Sequence, residues 1–181
     1  MERNVVYIAV FAALIAVLGL LPKFTLISGI PITAQSLGIM LCGTILGAKR
    51  GALAVLLFLA LVALGLPLLA GGRGGLGVFT TPWAGFLFGF PVAAFVAGLV
   101  MEYTQNLTVG ILATISAIIG GVVVLYAIAI PYYMVGANIS LWEATLTMAP
   151  FMPGDLIKTV LAGLITRGLY ESRPNAVLSR M

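Results

Sequence analysis

The stretch LTVGILATISAIIGGVVVLYAIAI, residues 107–130, decides the fold class because it contains no charged residue. It lies within an uncharged run of 40 residues between Glu102 and Glu143. A helix needs roughly 20 apolar residues to cross the hydrocarbon core of a bilayer. This part of the chain therefore predicts a membrane-spanning helix followed by a loop.

Charged residues are scarce along the whole chain. Among 181 residues, Lys and Arg contribute 9, Asp and Glu contribute 5, and 62% of all residues are hydrophobic. Soluble domains carry about 25% charged and roughly 45–50% apolar residues. The composition excludes a soluble globular fold. The net charge of +4 is too small and too scattered for a phosphate-binding face, so we expect no nucleic-acid partner.

Charged and glycine-rich breaks divide the chain into uncharged runs, each long enough for one span. We predict an all-α membrane protein with six transmembrane helices in a single integral membrane domain, residues 1–181. The expected spans are residues 5–21, 30–47, 51–70, 83–101, 107–130 and 153–170.

The placement of Lys and Arg predicts the orientation in the membrane. Cytoplasmic loops carry an excess of these residues. With six spans, the basic residues other than Lys158, which lies within a span, divide into a larger group on the side of both termini and a smaller group of Lys23 and Arg73 on the other side. The larger group consists of Arg3, Lys49, Arg50, Arg167, Arg173 and Arg180. We therefore expect both termini in the cytoplasm and a multi-pass protein of the cytoplasmic membrane.

The residue inventory removes several classes of function. The chain has no histidine, which excludes a His-based general base, a Ser-His-Asp triad and a His-ligated metal. Its single cysteine, Cys42, lies in an apolar stretch, where a small buried hydrophobic role is expected. No phosphate-binding P-loop motif occurs. We expect no enzyme activity, no cofactor and no bound metal.

Two ionisable residues lie at the start of the sixth span, in the sequence Phe151-Met152-Pro153-Gly154-Asp155-Leu156-Ile157-Lys158. Asp155 and Lys158 are three residues apart, so their side chains share one helix face. An ionisable residue within a membrane helix indicates a functional site. The alternative is a capping aspartate paired with a lysine that extends to the membrane surface, which explains Asp155 better than Lys158. We favour a ligand site.

With both termini in the cytoplasm, the start of the sixth span faces outside. Two further features are expected on the same outer side. Arg73 lies among glycines that include Gly72 and Gly74, an arrangement that exposes backbone N–H groups and a guanidinium suited to a carboxylate. The alternative is a flexible loop with one solvated arginine. Gln35, near the outer end of the second span, offers an amide at the same level. It could equally bond the carbonyl of a neighbouring helix.

The first span carries small residues with the spacing of close helix contacts. Ala9 and Ala13, and likewise Ala12 and Ala16, are four positions apart. This spacing allows the backbones of two helices to approach each other. Alanine is common in membrane spans, so the pattern alone is a weak indication of a partner interface.

Four motifs together resemble those of the BioY family, the biotin-specific substrate-binding component of energy-coupling-factor (ECF) transporters. They are Ile30-Pro31-Ile32-Thr33-Ala34-Gln35, Gly71-Gly72-Arg73-Gly74-Gly75, Pro82 with Gly85-Phe86-Leu87-Phe88-Gly89-Phe90, and the motif from Phe151 to Lys158. The similarity covers essentially the whole chain. The Gly-Gly-x-Gly-Gly loop and the last motif, in this order, are the specific ones.

The resemblance implies a six-helix protein that binds biotin near its outer face under the first, third and fifth loops. It further implies transport with a transmembrane coupling subunit, contacted through Ala9 and Ala13, and two cytoplasmic ATPase subunits. Asp155, Lys158 and Arg73 match positions of the family's polar contacts to biotin. Around the start of the fourth helix the chain departs from the family pattern. The family often has a hydroxyl residue and a glycine where this chain has Trp83 and Ala84, and some relatives have an arginine where it has Leu87. Without that arginine, Arg73 is the expected carboxylate partner.

Two other functions are compatible with the same residues. A stand-alone secondary transporter for another vitamin or small carboxylate could use Arg73 and the Asp155–Lys158 pair for a different anion. A membrane enzyme or an assembly subunit without a ligand is a third hypothesis, although the absence of histidine and the shortage of carboxylates argue against catalysis.

Overall fold

The structure is a computed structural model that describes residues 2–21, 24–25, 31–104 and 106–181. Two positions named in the sequence predictions lie outside this described part, namely Lys23 and Ile30. The expected side of Lys23 therefore stays a prediction. The described helix of the second expected span begins at Gln35, later than Ile30, because Pro31–Ile32 form a short strand.

Helices account for nearly all regular structure in the described residues. In chain order the α-helices are α1 (Glu2–Gly19), α2 (Gln35–Leu46), α3 (Ala48–Ala63), α4 (Ala84–Tyr103), α5 (Val109–Ile118), α6 (Leu125–Ala137), α7 (Leu141–Met148) and α8 (Met152–Ser172). A π-helical segment, Ile119–Val124, joins α5 to α6, and a 3₁₀ turn, Ala149–Phe151, joins α7 to α8. Two short strands, β1 (Phe24–Thr25) and β2 (Pro31–Ile32), pair antiparallel before α2. Further 3₁₀ turns are Leu76–Thr80, Pro174–Ala176 and Leu178–Arg180.

The joined helices form six continuous helical segments in the described residues. Four of these segments are long and apolar enough to cross a membrane: Glu2–Gly19, Ala84–Tyr103, Val109–Ala137 and Leu141–Ser172. The apolar α2 has only 12 residues, a rise of about 18 Å against a hydrocarbon core of about 30 Å. The prediction of a helical membrane protein is confirmed at this level.

Helix α4 lies at the centre of the bundle and packs against α2, α3, α5 and α6. Small residues make these contacts close. A Cβ added at Gly98 would overlap the backbone of Gly47 and Ala48, and one added at Gly120 would overlap the carbonyl of Ala93. Close backbone approach through glycine is how membrane helices gain packing contacts when lipid offers no hydrophobic driving force.

The last two helical segments differ from the expected spans at their facing ends. The helix that contains α6 passes through Pro131 and ends at Ala137, beyond Ile130. The final helical segment begins at Leu141, ahead of Pro153, because Ser140 caps it. The Ser140 hydroxyl accepts from the Glu143 N–H, and the Glu143 carboxylate accepts from the Ser140 N–H. The Ser-x-x-Glu spacing of residues 140–143 is the sequence signature of this capping box and of a helix start.

Helix α3 ends at Ala63, earlier than the expected end at Ala70. Gly65 has a φ of +101°, which ends the helix, and Pro67 follows. The chain then turns back so that the N–H of Gly75 donates to the carbonyl of Val62 over 2.7 Å. The result is an ordered loop of residues 64–75 that carries Arg73.

The C-terminal residues 177–181, here called the tail, pack against one end of the bundle. Val177, Leu178 and Ser179 are buried there. Arg180 donates to the carbonyls of Met101 and Thr104 over 3.2 and 2.6 Å, which satisfies acceptors at the C-terminus of α4. At the same end, the carboxylate of Glu102 accepts from the N–H of Ala48 over 2.9 Å. Arg73 lies at the opposite end.

Candidate ligand-binding cavity

A cavity opens at the end of the bundle away from the tail. It encloses about 110 Å³, whereas one water molecule needs about 10–15 Å³ on the same measure. Side chains from α2, α4, α6, α8 and the loop after α3 line it. The lining residues are Thr33, Gln35, Ser36, Leu69, Arg73, Val78, Thr81, Trp83, Phe86, Leu87, Phe90, Leu125, Tyr126, Phe151, Asp155 and Lys158.

Asp155 and Lys158 form an ion pair inside this cavity. The Lys158 Nζ lies 2.9 Å from the Asp155 Oδ1, as the three-residue spacing on α8 predicts. The Ser36 hydroxyl of α2 completes the arrangement, since it accepts from Lys158 over 2.9 Å and donates to Asp155 Oδ1 over 3.1 Å. Both charged side chains are largely buried, at 14% and 8% exposure for Lys158 and Asp155. A buried ion pair is stable only with such additional hydrogen bonds.

The second carboxylate oxygen of Asp155 is held by α6. The Tyr126 hydroxyl donates to Asp155 Oδ2 over 2.7 Å, and Tyr126 is itself buried. Three helices, α2, α6 and α8, therefore meet at one carboxylate. This arrangement fixes the plane of a group whose terminal torsion is otherwise broad.

The network leaves hydrogen-bonding positions that a ligand could use. Each carboxylate oxygen accepts at two positions. Oδ1 of Asp155 has two donors, Lys158 and Ser36, whereas Oδ2 has one, Tyr126. The ammonium of Lys158 has three donors and uses two of them on Asp155 and Ser36. The site can therefore offer one acceptor and one donor side by side.

Aromatic side chains form the wall beside this polar network. The ring of Phe86 contacts Tyr126 edge-on with 5.8 Å between centroids. Trp83 stacks on Tyr133 with 4.4 Å between ring centroids. Together with Phe90 and Leu87, these rings give the cavity an apolar side that can desolvate a small ligand.

Arg73 lines the same cavity from the loop after α3. Its Nε donates to the carbonyl of Ala70 over 3.2 Å, and its backbone pairs with that of Leu69. The side chain is exposed, and the guanidinium has further N–H donors beyond Nε. The structure thus brings Arg73, Asp155 and Lys158 to one cavity.

Gly72 and Gly74 are not among the cavity's lining residues. Gly72 has a φ of +69°, a conformation that L side chains rarely adopt. At Gly74, an added Cβ would overlap the carbonyl of Leu66. The structure thus gives both glycines a role in the loop backbone, and their contact with a ligand stays a prediction.

Gln35 lies at the cavity wall with its amide already bonded to backbone. Its Nε2 donates to the carbonyls of Ile15 and Leu68 over 3.3 and 3.0 Å, and its Oε1 accepts from the N–H of Ala70 over 3.1 Å. One side chain therefore joins α1, α2 and the loop that carries Arg73. These contacts match the alternative of a bond to a neighbouring helix's carbonyl, and ligand contact by Gln35 stays untested.

Ala9 and Ala13 lie on the exposed face of α1, away from the cavity. Ala12 is buried against the bundle, so the two small-residue pairs point in different directions. Val6 and Val17 extend the exposed face along the helix. The structure leaves this face available to lipid or to a partner helix.

Sequence reasoning did not assign Ser36, Tyr126 or Trp83 to the site. Ser36 is a polar residue within the second expected span, and Tyr126 carries a hydroxyl within an apolar run. Neither residue has a hydrogen-bonding partner nearby in the sequence that would indicate a site. In the part of the chain that the structure describes, no three His, Cys, Asp or Glu side chains come together as a metal site would require.

The family model described as "BioY family" matches residues 2–175. The chain belongs to the BioY family. Among curated relatives of this BioY protein, "Biotin transporter BioY" of Rhodobacter capsulatus is 53% identical over 99% of this chain and 100% of the relative. The "Biotin transporter BioY" of Rhizobium etli is 48% identical over 95% of each chain.

A solved structure supports the same assignment at the level of the fold. The crystal structure of the S-component for biotin from an ECF-type ABC transporter matches with a TM-score of 0.86 and 31% identity, covering 94% of this chain and 92% of that one. The predicted resemblance is confirmed. This BioY protein is a multi-pass membrane protein, and its relatives are named as transporters, in agreement with the expectation of a non-enzyme.

Proposed function

We propose that this BioY protein binds biotin and takes it up across the cytoplasmic membrane as the substrate-specific component of an ECF transporter. The observation that carries the proposal is the 53% sequence identity, over 99% of this chain, with a relative named as a biotin transporter. The cavity supports it independently, because it combines an apolar wall with a few converging polar groups, as small-molecule sites do.

The chemistry of biotin fits the hydrogen-bonding positions in the cavity. Its ureido ring presents an N–H donor beside a carbonyl acceptor, which matches the acceptor position on Asp155 Oδ2 and the remaining donor of Lys158. The carboxylate of its tail suits the guanidinium of Arg73. The thioether ring and alkyl chain would lie against Trp83 and Phe86. In this pose Gln35, Gly72 and Gly74 shape the site through the backbone.

We further propose that all six helical segments cross the membrane and that both termini are cytoplasmic. Lys49, Arg50 and Arg180 belong to the tail end of the bundle, and Arg73 belongs to the cavity end. The excess of basic residues at the tail end favours the cytoplasmic side for that end. The cavity then opens to the outside, where biotin enters.

We also propose the partners that uptake requires. The chain has no P-loop, so energy from ATP has to come from other subunits. The partners are a transmembrane coupling subunit and two cytoplasmic ATPase subunits, with membrane lipid around the remaining surface. The exposed Ala9 and Ala13 on α1 offer the coupling subunit a surface of small side chains.

Titration calorimetry of the purified protein with biotin tests the binding function. We expect tight binding that weakens at least about tenfold in Asp155→Asn and in Lys158→Ala, because each change removes a charged hydrogen-bonding partner of the ligand, worth about 1.5–3 kcal/mol. Glu171→Gln is the matched control, since its carboxylate pairs with Arg167 on the same helix but at an exposed position. Absence of biotin binding to the unchanged protein would contradict the function. Unchanged affinity in both cavity variants would contradict the site.

Reconstitution in vesicles tests the transport mechanism. We expect ATP-dependent biotin uptake when the coupling and ATPase subunits are included, and only background uptake when the chain is alone. Uptake by the chain alone that follows an imposed proton gradient would instead support a stand-alone secondary transporter.

A further inference from the structure

We infer that Tyr126 is a positioning residue of the binding site, acting on the ligand through Asp155. The inference rests on the proposed function, because it concerns the same cavity. It adds a residue that the sequence motifs did not assign. Its basis is the hydrogen bond of 2.7 Å from the Tyr126 hydroxyl to Asp155 Oδ2, the shortest of the contacts to that carboxylate.

The two side chains meet at a largely buried point in the cavity wall. Counted over the whole residue, backbone included, Asp155 is 5% exposed and Tyr126 is 4% exposed. A hydrogen bond to a charged group in such surroundings is shorter and stronger than one between neutral groups. Lys158 and Ser36 both act on Oδ1. Among the described residues, Tyr126 is therefore the donor to Oδ2, and its bond restrains the rotation of the carboxylate together with the two bonds to Oδ1.

The backbone before Tyr126 is built to bring its hydroxyl to this point. The π-helical segment Ile119–Val124 ends two residues before it and joins α6 to α5. Gly120 and Gly121 allow this segment to lie close to α4 and α2, since added Cβ atoms would collide with the Ala93 carbonyl and the side chain of Met40. Short π-helical turns inside α-helices are frequent at functional sites.

Fixing Oδ2 also fixes the direction of its second acceptor position. When the Tyr126 hydroxyl bonds to one lone pair of Oδ2, the second lone pair of Oδ2 points in a defined direction, toward the N–H of a ligand. Without the hydroxyl, only the bonds of Oδ1 to Lys158 and Ser36 resist rotation of the carboxylate about its terminal torsion, so Oδ2 can move further from this position. Tyr126 therefore preorganises the acceptor, which lowers the ordering cost of binding.

A double-mutant cycle of Tyr126→Phe and Asp155→Asn, read as biotin affinity, tests this inference. Tyr126→Phe keeps the ring and its edge contact with Phe86. We expect it to weaken biotin binding about tenfold or more in the unchanged background, and to have little further effect when Asp155 is already Asn. The matched control is Tyr132→Phe on the same helix, whose hydroxyl bonds the carbonyl of Phe79 instead. We expect the control to bind biotin like the unchanged protein.

The outcomes separate this inference from the proposed function. If the unchanged protein fails to bind biotin, the proposed function is wrong. If the unchanged protein binds and Tyr126→Phe binds equally well, the positioning role is wrong. An equal loss in both backgrounds also overturns it, because Tyr126 would then act independently of Asp155. Thermal unfolding without biotin should occur a few degrees lower for Tyr126→Phe than for Tyr132→Phe, because only the first loses a buried hydrogen bond. It should stay cooperative in both variants, which excludes a general loss of structure.

Discussion

The Ser179 hydroxyl donates to the backbone carbonyl of Thr44 over 2.5 Å and so fastens the tail to the end of α2. Ser179 is buried. The carbonyl belongs to the last turn of α2, where backbone carbonyls have no N–H partner within the helix. The tail thus satisfies a helix end that faces the interior of the protein.

The Ser179 contact predicts a loss of stability without a loss of biotin affinity. Ser179→Ala should destabilise the protein by about 1–2 kcal/mol, because a buried carbonyl loses its donor. A chain of this length would then unfold roughly 3–6 °C lower. Ser172→Ala is the control, since its hydroxyl is exposed and bonds within its own helix. Equal unfolding temperatures for the two variants in detergent would contradict the prediction.

Arg73 should determine whether the binding site distinguishes a carboxylate from an amide. We expect the unchanged protein to bind biotin at least about tenfold more tightly than biotinamide, because the guanidinium forms charge-assisted hydrogen bonds with a carboxylate. Arg73→Ala should remove this preference and leave the affinity for biotinamide nearly unchanged. Arg173→Ala, which removes an exposed arginine beyond α8, should keep the preference. Competition binding measures both ligands, and a preference retained in Arg73→Ala would exclude this role.

Gly19 makes room for the amide of Gln35, and its substitution should weaken the fold. An added Cβ would lie 2.6 Å from Gln35 Nε2 and 2.7 Å from the Leu68 carbonyl. Displacing that amide leaves buried polar groups without partners, at a cost of about 1–3 kcal/mol. Gly19→Ala should therefore unfold several degrees lower in the absence of biotin.

Gly168→Ala provides the matched control for Gly19→Ala. Gly168 lies inside α8 with nothing within 4 Å of an added Cβ. Alanine should stabilise this helix by about 0.5–1 kcal/mol through its lower backbone entropy. Thermal unfolding should thus shift in opposite directions in the two variants. A shift in the same direction would mean that the Gln35 contacts do not stabilise the fold.

The exposed face of α1 should affect uptake without affecting binding. Replacing Ala9 and Ala13 together with leucine should reduce ATP-dependent biotin uptake about tenfold in vesicles that contain the partner subunits, since overpacking a contact costs about 1–3 kcal/mol. Biotin affinity of the isolated variant should match that of the unchanged protein, because this face lies away from the cavity. Ala127→Leu, exposed on α6, serves as the control. Unimpaired uptake in the double variant would place the partner contact elsewhere.

Local features of the fold could be predicted from the sequence. Charge-free runs indicated the helical segments, since the cost of placing charges in lipid is large enough to dominate composition. The spacing of Asp155 and Lys158 predicted their contact because one helix carries both. The end of α3 at Ala63 was missed because apolar residues continue to Ala70 while Gly65 turns the backbone.

The contacts between distant residues could not be predicted in the same way. Ser36 reaches Asp155 across 119 positions, and Tyr126 reaches it across 29. Both contacts depend on the register of packed helices, and a π-helical segment shifts that register by an amount that hydropathy does not encode. Gln35 was predicted to lie near the site, but its three backbone partners come from α1 and from the loop of residues 64–75 after α3.

The contacts of Gln35 also bear on the thermodynamics of ligand capture. They hold the loop of residues 64–75 in place before any ligand arrives, together with the bond between Gly75 and Val62. The conformational entropy of that loop is therefore lost during folding, so little of it remains to oppose association. The heat-capacity change of binding should then reflect the apolar surface buried between the ligand and the aromatic cavity wall. Differences in affinity among variants should be found mainly in the dissociation rate.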